Sequence, residues 1–160
     1  MVTEKNNLGV GALLKALLAG WVVMVFGTSI LIFLFAPLEQ DRYSSNWLVN
    51  SFRTIWEIGD AMGPAVKISY IVLFGLLIFA SKSVINRNRR TSYALSIIFA
   101  VVSATLVLAF LPADFSRGYG IGLTGARFDT RMLPIYMAGA VLSGVAFSYA
   151  VNRLSENQKP

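Results

Sequence analysis

The stretch 93–111, YALSIIFAVVSATLVLAFL, contains no charged residue along its whole length. A helix of this length is close to the hydrocarbon thickness of a bilayer, which takes about 20 apolar residues at 1.5 Å each. Three further stretches share this character, at 16–36, 65–81 and 133–151, and Lys67 is the one charged residue in them. We expect Lys67 to lie near a helix end and to snorkel. The sequence therefore predicts four membrane-spanning helices.

Composition supports a membrane protein with a single domain. Of 160 residues, 56% are hydrophobic and 14% are charged, whereas soluble domains average about 25% charged residues. Four spans and their connections use the whole chain, so we assign 1–160 to one domain. The predicted fold class is an all-α membrane protein, a four-transmembrane-helix bundle with an amphipathic helix at the outer interface.

The absence of certain residue types from the sequence excludes several chemistries. The chain has no Cys and no His, which excludes disulfides, thiolate metal sites and ordinary haem ligation. Nucleophilic catalysis needs a base beside the nucleophile, and ion-coupled transport usually needs an acid or a histidine within a span. The four apolar stretches contain no acidic residue and no histidine. We therefore predict no enzyme activity, no catalytic residues and no cofactor or metal site.

The connection 82–90, KSVINRNRR, predicts the orientation. It carries four basic residues and no acid, and short loops rich in Lys and Arg face the cytoplasm. With four spans, both termini then lie in the cytoplasm too, and the predicted location is the inner (plasma) membrane. The net charge of +6 does not indicate nucleic acid, because the basic residues fall on both sides of the membrane. We expect the cluster to face anionic lipid headgroups.

Residues 46–62, NWLVNSFRTIWEIGDAM, have a helical period. Arg53 and Glu57 are spaced for an i, i+4 ion pair, and Gly63-Pro64 should end the helix. One apolar face is predicted to contain Leu48, Phe52, Ile55, Trp56, Gly59 and Met62. This pattern is typical of a helix lying in the outer interface. Such a helix either rests on lipid or forms a docking surface, for which Phe52 and Trp56 are the candidate partner-binding residues.

The third connection, 112–134, is rich in glycine and arginine. Its GYGIGLTG string lacks the strand and helix that a phosphate loop needs, so nucleotide binding is not expected. Its arginines either pair with Asp114 and Asp129 or present donors to a carboxylate or phosphate on a partner. The candidate partner-binding residues here are Arg117, Thr124, Arg127 and Arg131.

Small residues recur at helical spacing within three of the spans. The three stripes are Ala12, Ala16 and Gly20; Ser96, Ala100 and Ala104; and Ala140, Gly144 and Ser148. Stripes of this kind let helices approach closely. They serve either to pack the bundle or to receive an external helix, and for the second use Ala140, Gly144 and Ser148 are the candidates.

The layout of the chain is similar to that of a known protein family. The segments that carry this resemblance are TIWEIGDAMGP (54–64), KSVINRNRR (82–90) and GIGLTGARF (120–128). The chain resembles the immunity proteins that protect bacteria from pore-forming colicins of the A and B type. The resemblance implies a small basic four-span inner-membrane protein with both termini inside. It also implies a partner met within the membrane and a threonine-glycine element at Thr124 and Gly125, followed by Arg127.

The expected function is non-catalytic binding of another integral membrane protein, as an immunity or exclusion factor or as an accessory subunit. Membrane lipids are expected partners, and self-association is left open. The alternative is a small oligomeric channel or transporter with a polar face inside the bundle, while a membrane enzyme would need loop acids and arginines around a pocket. The polar-face candidates are Thr28, Ser29, Ser69, Ser103, Thr105, Ser143 and Ser148.

The orientation can be tested with a reporter that is active only in the cytoplasm. Fusions after Arg90 and after Lys159 should be active, and fusions after Arg42 or Gly120 should be inactive, because of the Lys and Arg asymmetry. Activity of the Gly120 fusion would contradict the four-span topology.

Overall fold

A computed structural model describes residues 9–35, 47–85, 89–111 and 132–156, and within these ranges the chain is helical with no strand. The helices are α1 (Val10–Val22), a π-helical segment (Val23–Gly27), α2 (Thr28–Phe35), α3 (Trp47–Ala61), α4 (Pro64–Ala80), α5 (Lys82–Ile85), α6 (Arg89–Phe110) and α7 (Leu133–Glu156). The all-α prediction is confirmed for the described residues.

Three helices are long and apolar enough to cross a membrane, namely Val10–Phe35, Arg89–Phe110 and Leu133–Ser155. A fourth span exists only if α3 and α4 are taken together, and these two helices meet at a bend of 72°. The first helix begins before the predicted residue 16, and α4 has 17 residues of its own. The described chain thus provides three to four potential spans.

The bend between α3 and α4 occurs at the predicted Gly63-Pro64 break. Gly63 has a φ of 74°, a left-handed conformation that costs glycine little and other residues much more. Pro64 occupies the first turn of α4, where its missing N–H leaves no hydrogen bond unmade. These two residues therefore set the direction in which α3 leaves the bundle.

Helices α6 and α7 approach each other almost backbone to backbone. A Cβ atom added at Gly144 would lie 2.6 Å from the Cα of Ile97 and 2.7 Å from the carbonyl oxygen of Ser96. One turn further along α7, the Ser148 hydroxyl donates to the carbonyl oxygen of Ser92 at 3.1 Å. The predicted stripes on these two helices thus meet each other inside the bundle.

Helix α1 packs on the neighbouring side of α7, again through small residues. Ala16 is fully buried, and a Cβ at Gly20 would lie 3.1 Å from the carbonyl oxygen of Ser143. Beside this contact the rings of Phe74 and Phe147 meet edge to face, with centroids 5.5 Å apart. Both rings are fully buried, so this aromatic pair fills the space that the small residues leave at the centre of the bundle.

The π-helical segment Val23–Gly27 lies in the middle of the first long helix. It begins three residues after Gly20, whose backbone a neighbouring helix binds: the Ser143 hydroxyl donates to the Gly20 carbonyl oxygen at 2.7 Å. A side chain inserted at the backbone ladder is a known cause of local helix distortion, and single π turns are the usual form. The packing of α7 therefore accounts for the position of this segment.

Glycine substitutions test the α6–α7 contact. Gly144→Ala should lower the thermal stability of the purified protein in detergent by about 1–3 kcal/mol, because its Cβ would overlap backbone atoms that cannot move aside. Gly144→Leu should be worse, whereas Ala146→Leu, on another face, should be mild.

Gly27→Ala is the matched control, because the nearest atom to its added Cβ is the Val23 Cγ1 at 3.6 Å, an ordinary contact. Equal loss of stability in Gly27→Ala and Gly144→Ala would show that the close contact between α6 and α7 is not what the substitution disturbs.

Candidate functional site

Helix α3 is fastened to the first long helix by its C-terminal half. Ile58 and Met62 are buried, with exposed fractions of 5% and 6%. A Cβ at Gly59 would lie 3.2 Å from the Ser29 hydroxyl and 3.7 Å from Val25 Cγ1. The absence of a side chain at position 59 therefore lets α3 lie directly against α2 and the π-helical segment.

The outward face of α3 is apolar and exposed. Phe52 is 73% exposed and Trp56 is 64% exposed, and Leu48 and Val49 continue the same surface. The Trp56 ring also contacts the edge of the bundle, with its centroid 5.8 Å from that of Phe26. Helix α3 thus presents a cluster of four large apolar side chains, each more than half exposed: Leu48, Val49, Phe52 and Trp56.

This arrangement corrects the single apolar face predicted for 46–62. The prediction grouped Gly59 and Met62 with Phe52 and Trp56, but the structure buries the first two and exposes the second two. The reason is that Gly59 and Ile58 make the contact with α2, which turns the side of α3 that bears Phe52 and Trp56 away. The predicted ion pair is present, with Arg53 Nε 2.8 Å from Glu57 Oε1.

The contact between Gly59 and Ser29 also fixes the position of α3 along the axis of the first helix. Ser29 lies six residues before Phe35, the last described residue of the first helix, which is roughly 9 Å along a helix axis. The C-terminal half of α3 therefore lies beside the first helix, below its end, rather than above the bundle.

A chain of hydrogen bonds joins three helices under this region. The Tyr70 hydroxyl of α4 donates to the Ser143 Oγ of α7 at 2.8 Å, and Ser143 donates to the Gly20 carbonyl oxygen of α1. Ser143 is fully buried and Tyr70 is 3% exposed. Such a chain is strong in a low-dielectric interior and leaves none of its three groups unpaired. It fixes the rotation of α4 about its axis.

Lys67 lies on the same side of α4 as the buried core. Residues 67, 70, 74 and 78 follow helical spacing, and the last three are Tyr70, Phe74 and Ile78, all buried. The Trp21 indole Nε1 donates to the Lys67 carbonyl oxygen at 3.1 Å, which ties this turn to α1. Lys67 itself is half-buried.

Lys67 lies in the first turn of α4. Phe74 packs against Gly20 and Leu17 packs against Gly75, so α1 and α4 run antiparallel in a fixed register. This register puts Lys67 opposite Val25 to Gly27, roughly 12–15 Å along the axis from Phe35. Helix α4 therefore begins below the last described turn of the first helix, at the level of Val107 and Leu108 near the end of α6.

A cavity of about 30 Å³ lies next to Lys67. Its walls are apolar, and a site needs polar partners to hold water, so it is suited to a small apolar group. It is lined by Trp21, Met24, Val25, Met62, Val66, Lys67, Tyr70, Ala104, Val107, Leu108 and Tyr136. Residues from every long helix thus contribute, together with Met62 at the bend.

The structure separates the predicted partner-binding residues into three groups. Phe52 and Trp56 are exposed on α3, whereas Ala140, Gly144 and Ser148 are buried between α6 and α7. The third group lies outside the described residues and consists of Arg117, Thr124, Arg127 and Arg131. Within the described ranges, no group of three or more His, Cys, Asp or Glu side chains is placed to hold a metal ion.

The polar residues proposed for a channel face lie mainly in contacts between helices. Ser29 donates to the Val25 carbonyl oxygen at 2.8 Å, and Ser143 and Ser148 donate to carbonyl oxygens of neighbouring helices. Thr28 and Ser103 are also buried, Ser69 is half-buried and Thr105 is exposed. The Ser143 and Ser148 hydroxyls therefore serve helix packing, whereas the Ser103 hydroxyl is buried without a hydrogen-bond partner among the described residues.

Sequence reasoning missed the three-helix hydrogen-bond chain. This chain depends on which helices become neighbours, which spacing within one helix does not reveal. Comparison of the chain with models of protein families, with characterised proteins and with solved structures finds no match. The function must therefore be inferred from the residues and contacts of this chain.

The hydrogen-bond chain can be tested with a double-mutant cycle on Tyr70 and Ser143. Tyr70→Phe should cost about 1 kcal/mol of stability, and Ser143→Ala about 1–3 kcal/mol, because it leaves a buried phenol without its acceptor. The double variant should cost less than the sum of the two. Thermal unfolding in detergent measures all three, with the half-buried Tyr93→Phe as control. Strict additivity would contradict the direct bond.

Proposed function

We propose that this chain is a non-catalytic integral membrane protein that binds another membrane protein through the outward face of α3. The observation that carries the proposal is the exposed cluster of Leu48, Val49, Phe52 and Trp56 on a helix that is otherwise firmly packed. The small-residue stripes are used within the bundle, so an external helix has no access to them. The face of α3 combines exposed apolar side chains with the polar residues that a specific interface needs.

The chemistry of α3 supports recognition rather than simple contact with lipid. Arg53 and Glu57 lie beside Phe52 and Trp56, and their ion pair is largely exposed. Tryptophan and arginine are the side chains most enriched among residues that dominate binding energy. An aromatic pair beside an ion pair therefore offers a partner apolar contact and also charges that can fix the position of the partner along α3.

The proposed setting is a four-span bundle in the inner (plasma) membrane, with α3 on the outer side and both termini in the cytoplasm. The charge distribution supports this orientation. Because α6 and α7 are antiparallel, the start of α6 and the end of α7 share one end of the bundle. That end carries Lys82, Arg89, Arg90 and Arg153, as expected for the cytoplasmic side. Within this setting an immunity or exclusion factor and an accessory subunit both fit.

Partner capture should fail when the aromatic pair is removed. The double substitution Phe52→Ala and Trp56→Ala should reduce the amount of partner that co-purifies in mild detergent by at least tenfold, because binding energy concentrates in such anchors. The measurement is quantitative mass spectrometry of what the tagged protein retains at equal expression.

The matched control is the double substitution Ile68→Ala and Leu76→Ala. These residues are exposed on α4 to a similar degree, 60% and 61%, but belong to a uniformly apolar helix face. Capture should survive in this control. Equal retention of partner by both double variants would mean that α3 contacts lipid only.

A further inference from the structure

We propose that the π-helical segment Val23–Gly27 is a one-residue switch that controls how α3 is supported by the bundle. This inference rests on the proposed function, since it concerns the regulation of the same docking face. The π register is the π turn that the structure contains. The α register is a continuous α-helix from α1 through α2, in which α2 is rotated by about 100° relative to the π register.

The buried positions of the first long helix move by one residue at the π turn. Before the turn, buried residues follow α-helical spacing up to Gly20. The next buried residue is Val25, five positions later, and the spacing then continues to the buried Thr28 and Ser29. A π turn closes its hydrogen bonds over five residues rather than four, which supplies this longer step. The π turn therefore determines which residues of α2 face the bundle.

In the π register the first helix supports α3 at two points. A Cβ at Gly59 would lie 3.7 Å from Val25 Cγ1 and 3.2 Å from the Ser29 hydroxyl. The Phe26 ring lies beside that of Trp56, with the centroids 5.8 Å apart. Because Trp56 belongs to the exposed apolar face of α3, the π turn is in direct contact with the proposed docking face.

The sequence also suits the α register. Without the extra residue, the positions that face the bundle would be those of Met24, Gly27, Thr28 and Leu31. All four are apolar or small, and Met24 already lines the adjoining apolar cavity of about 30 Å³. Residues 16–36 contain no charged side chain, so neither register buries a charge.

The α register would change the support of α3. A rotation of about 100° replaces each contact residue by the one before it in the chain. Met24 and Thr28 would then lie under α3, and Val25 would replace Phe26 beside Trp56. The docking face would lose its aromatic contact with the bundle. Coupling between two equilibria is reciprocal, so a partner that binds the aromatic-supported face favours the π register.

Gly139 of α7 distinguishes the two registers by the room that each needs. A Cβ at Gly139 would overlap the Thr28 hydroxyl oxygen and would lie 3.1 Å from the Thr28 Cβ. In the α register the residue at this place is Gly27, which has no side chain to overlap. Gly139→Ala therefore disfavours the π register, although it alters α7 and not α3.

Disulfide cross-linking of the purified full-length protein reads the register directly. The natural sequence has no cysteine, so an introduced pair reports only the intended contact. Gly59→Cys with Ser29→Cys reports the π register, since these positions are close enough for a disulfide. Gly59→Cys with Thr28→Cys reports the α register. The first pair should give the higher yield in the otherwise unaltered protein.

Gly139→Ala should lower the yield of the π-register pair relative to the α-register pair at least tenfold. The matched control is Gly144→Ala on the same helix, whose Cβ would overlap the backbone of α6 at Ile97. This control should leave the ratio unchanged. An unchanged ratio in Gly139→Ala would overturn the proposal, and so would equal effects of the two alanine substitutions.

Deletion of Val23 keeps the proposal testable if Gly139→Ala does not fold. Removing one residue gives a continuous α-helix and leaves Val25, Thr28 and Ser29 on their present faces. The yield of the α-register pair should then fall at least tenfold, while capture of the partner is retained. The same yield of that pair with and without the deletion would contradict the switch.

Capture of the partner separates this inference from the proposed function. If the Phe52 and Trp56 double variant loses capture but Gly139→Ala changes neither capture nor the cross-linking ratio, the docking face stands and the switch is wrong. If Gly139→Ala changes the ratio and the double variant still captures the partner, the proposed function fails and the switch stands as a property of the fold. Loss of capture in both variants, with a changed ratio in Gly139→Ala, supports both.

Discussion

The rest of the bundle depends on how closely α7 can approach its two neighbours. In lipid the tails are as apolar as the side chains, so helices associate through close packing and hydrogen bonds rather than through the hydrophobic effect. Gly144 allows α6 to come within backbone contact on one side, and Gly20 allows α1 to do so near Ser143. Gly139 extends this packing, since a Cβ there would lie 3.1 Å from that of Thr28. With α7 at the centre, the bundle closes around it.

This central packing determines what remains available for function. Because Ala140, Gly144 and Ser148 are used to hold α6 and α7 together, they cannot also receive a helix from outside without opening the bundle. The same holds for the hydroxyls of Ser143 and Ser148, which are committed to carbonyl oxygens of neighbouring helices. The proposed recognition is thereby left to a surface that the packing does not use, the outward face of α3.

Much of this fold follows from the sequence, and the exceptions have a common cause. The apolar lengths predict the long helices, Gly63-Pro64 predicts the break, and the small-residue spacing predicts the faces that pack. What the sequence does not reveal is the relative height of the helices. The face on which α3 rests depends on the level at which α4 begins, and that level is set by contacts of Phe74 and Gly75 with another helix. Periodicity within one helix carries no such information.

The bend at Gly63 sets the orientation of the proposed docking face. It turns α3 away from α4 by 72°, so that the C-terminal half of α3 packs on α2 while Phe52 and Trp56 stay exposed. An ordinary residue at position 63 would disfavour the positive φ on which the bend depends. A straight continuation of α3 into α4 would form one long helix and move the aromatic pair away from α2. The exposure of this apolar face is therefore a consequence of a single glycine conformation.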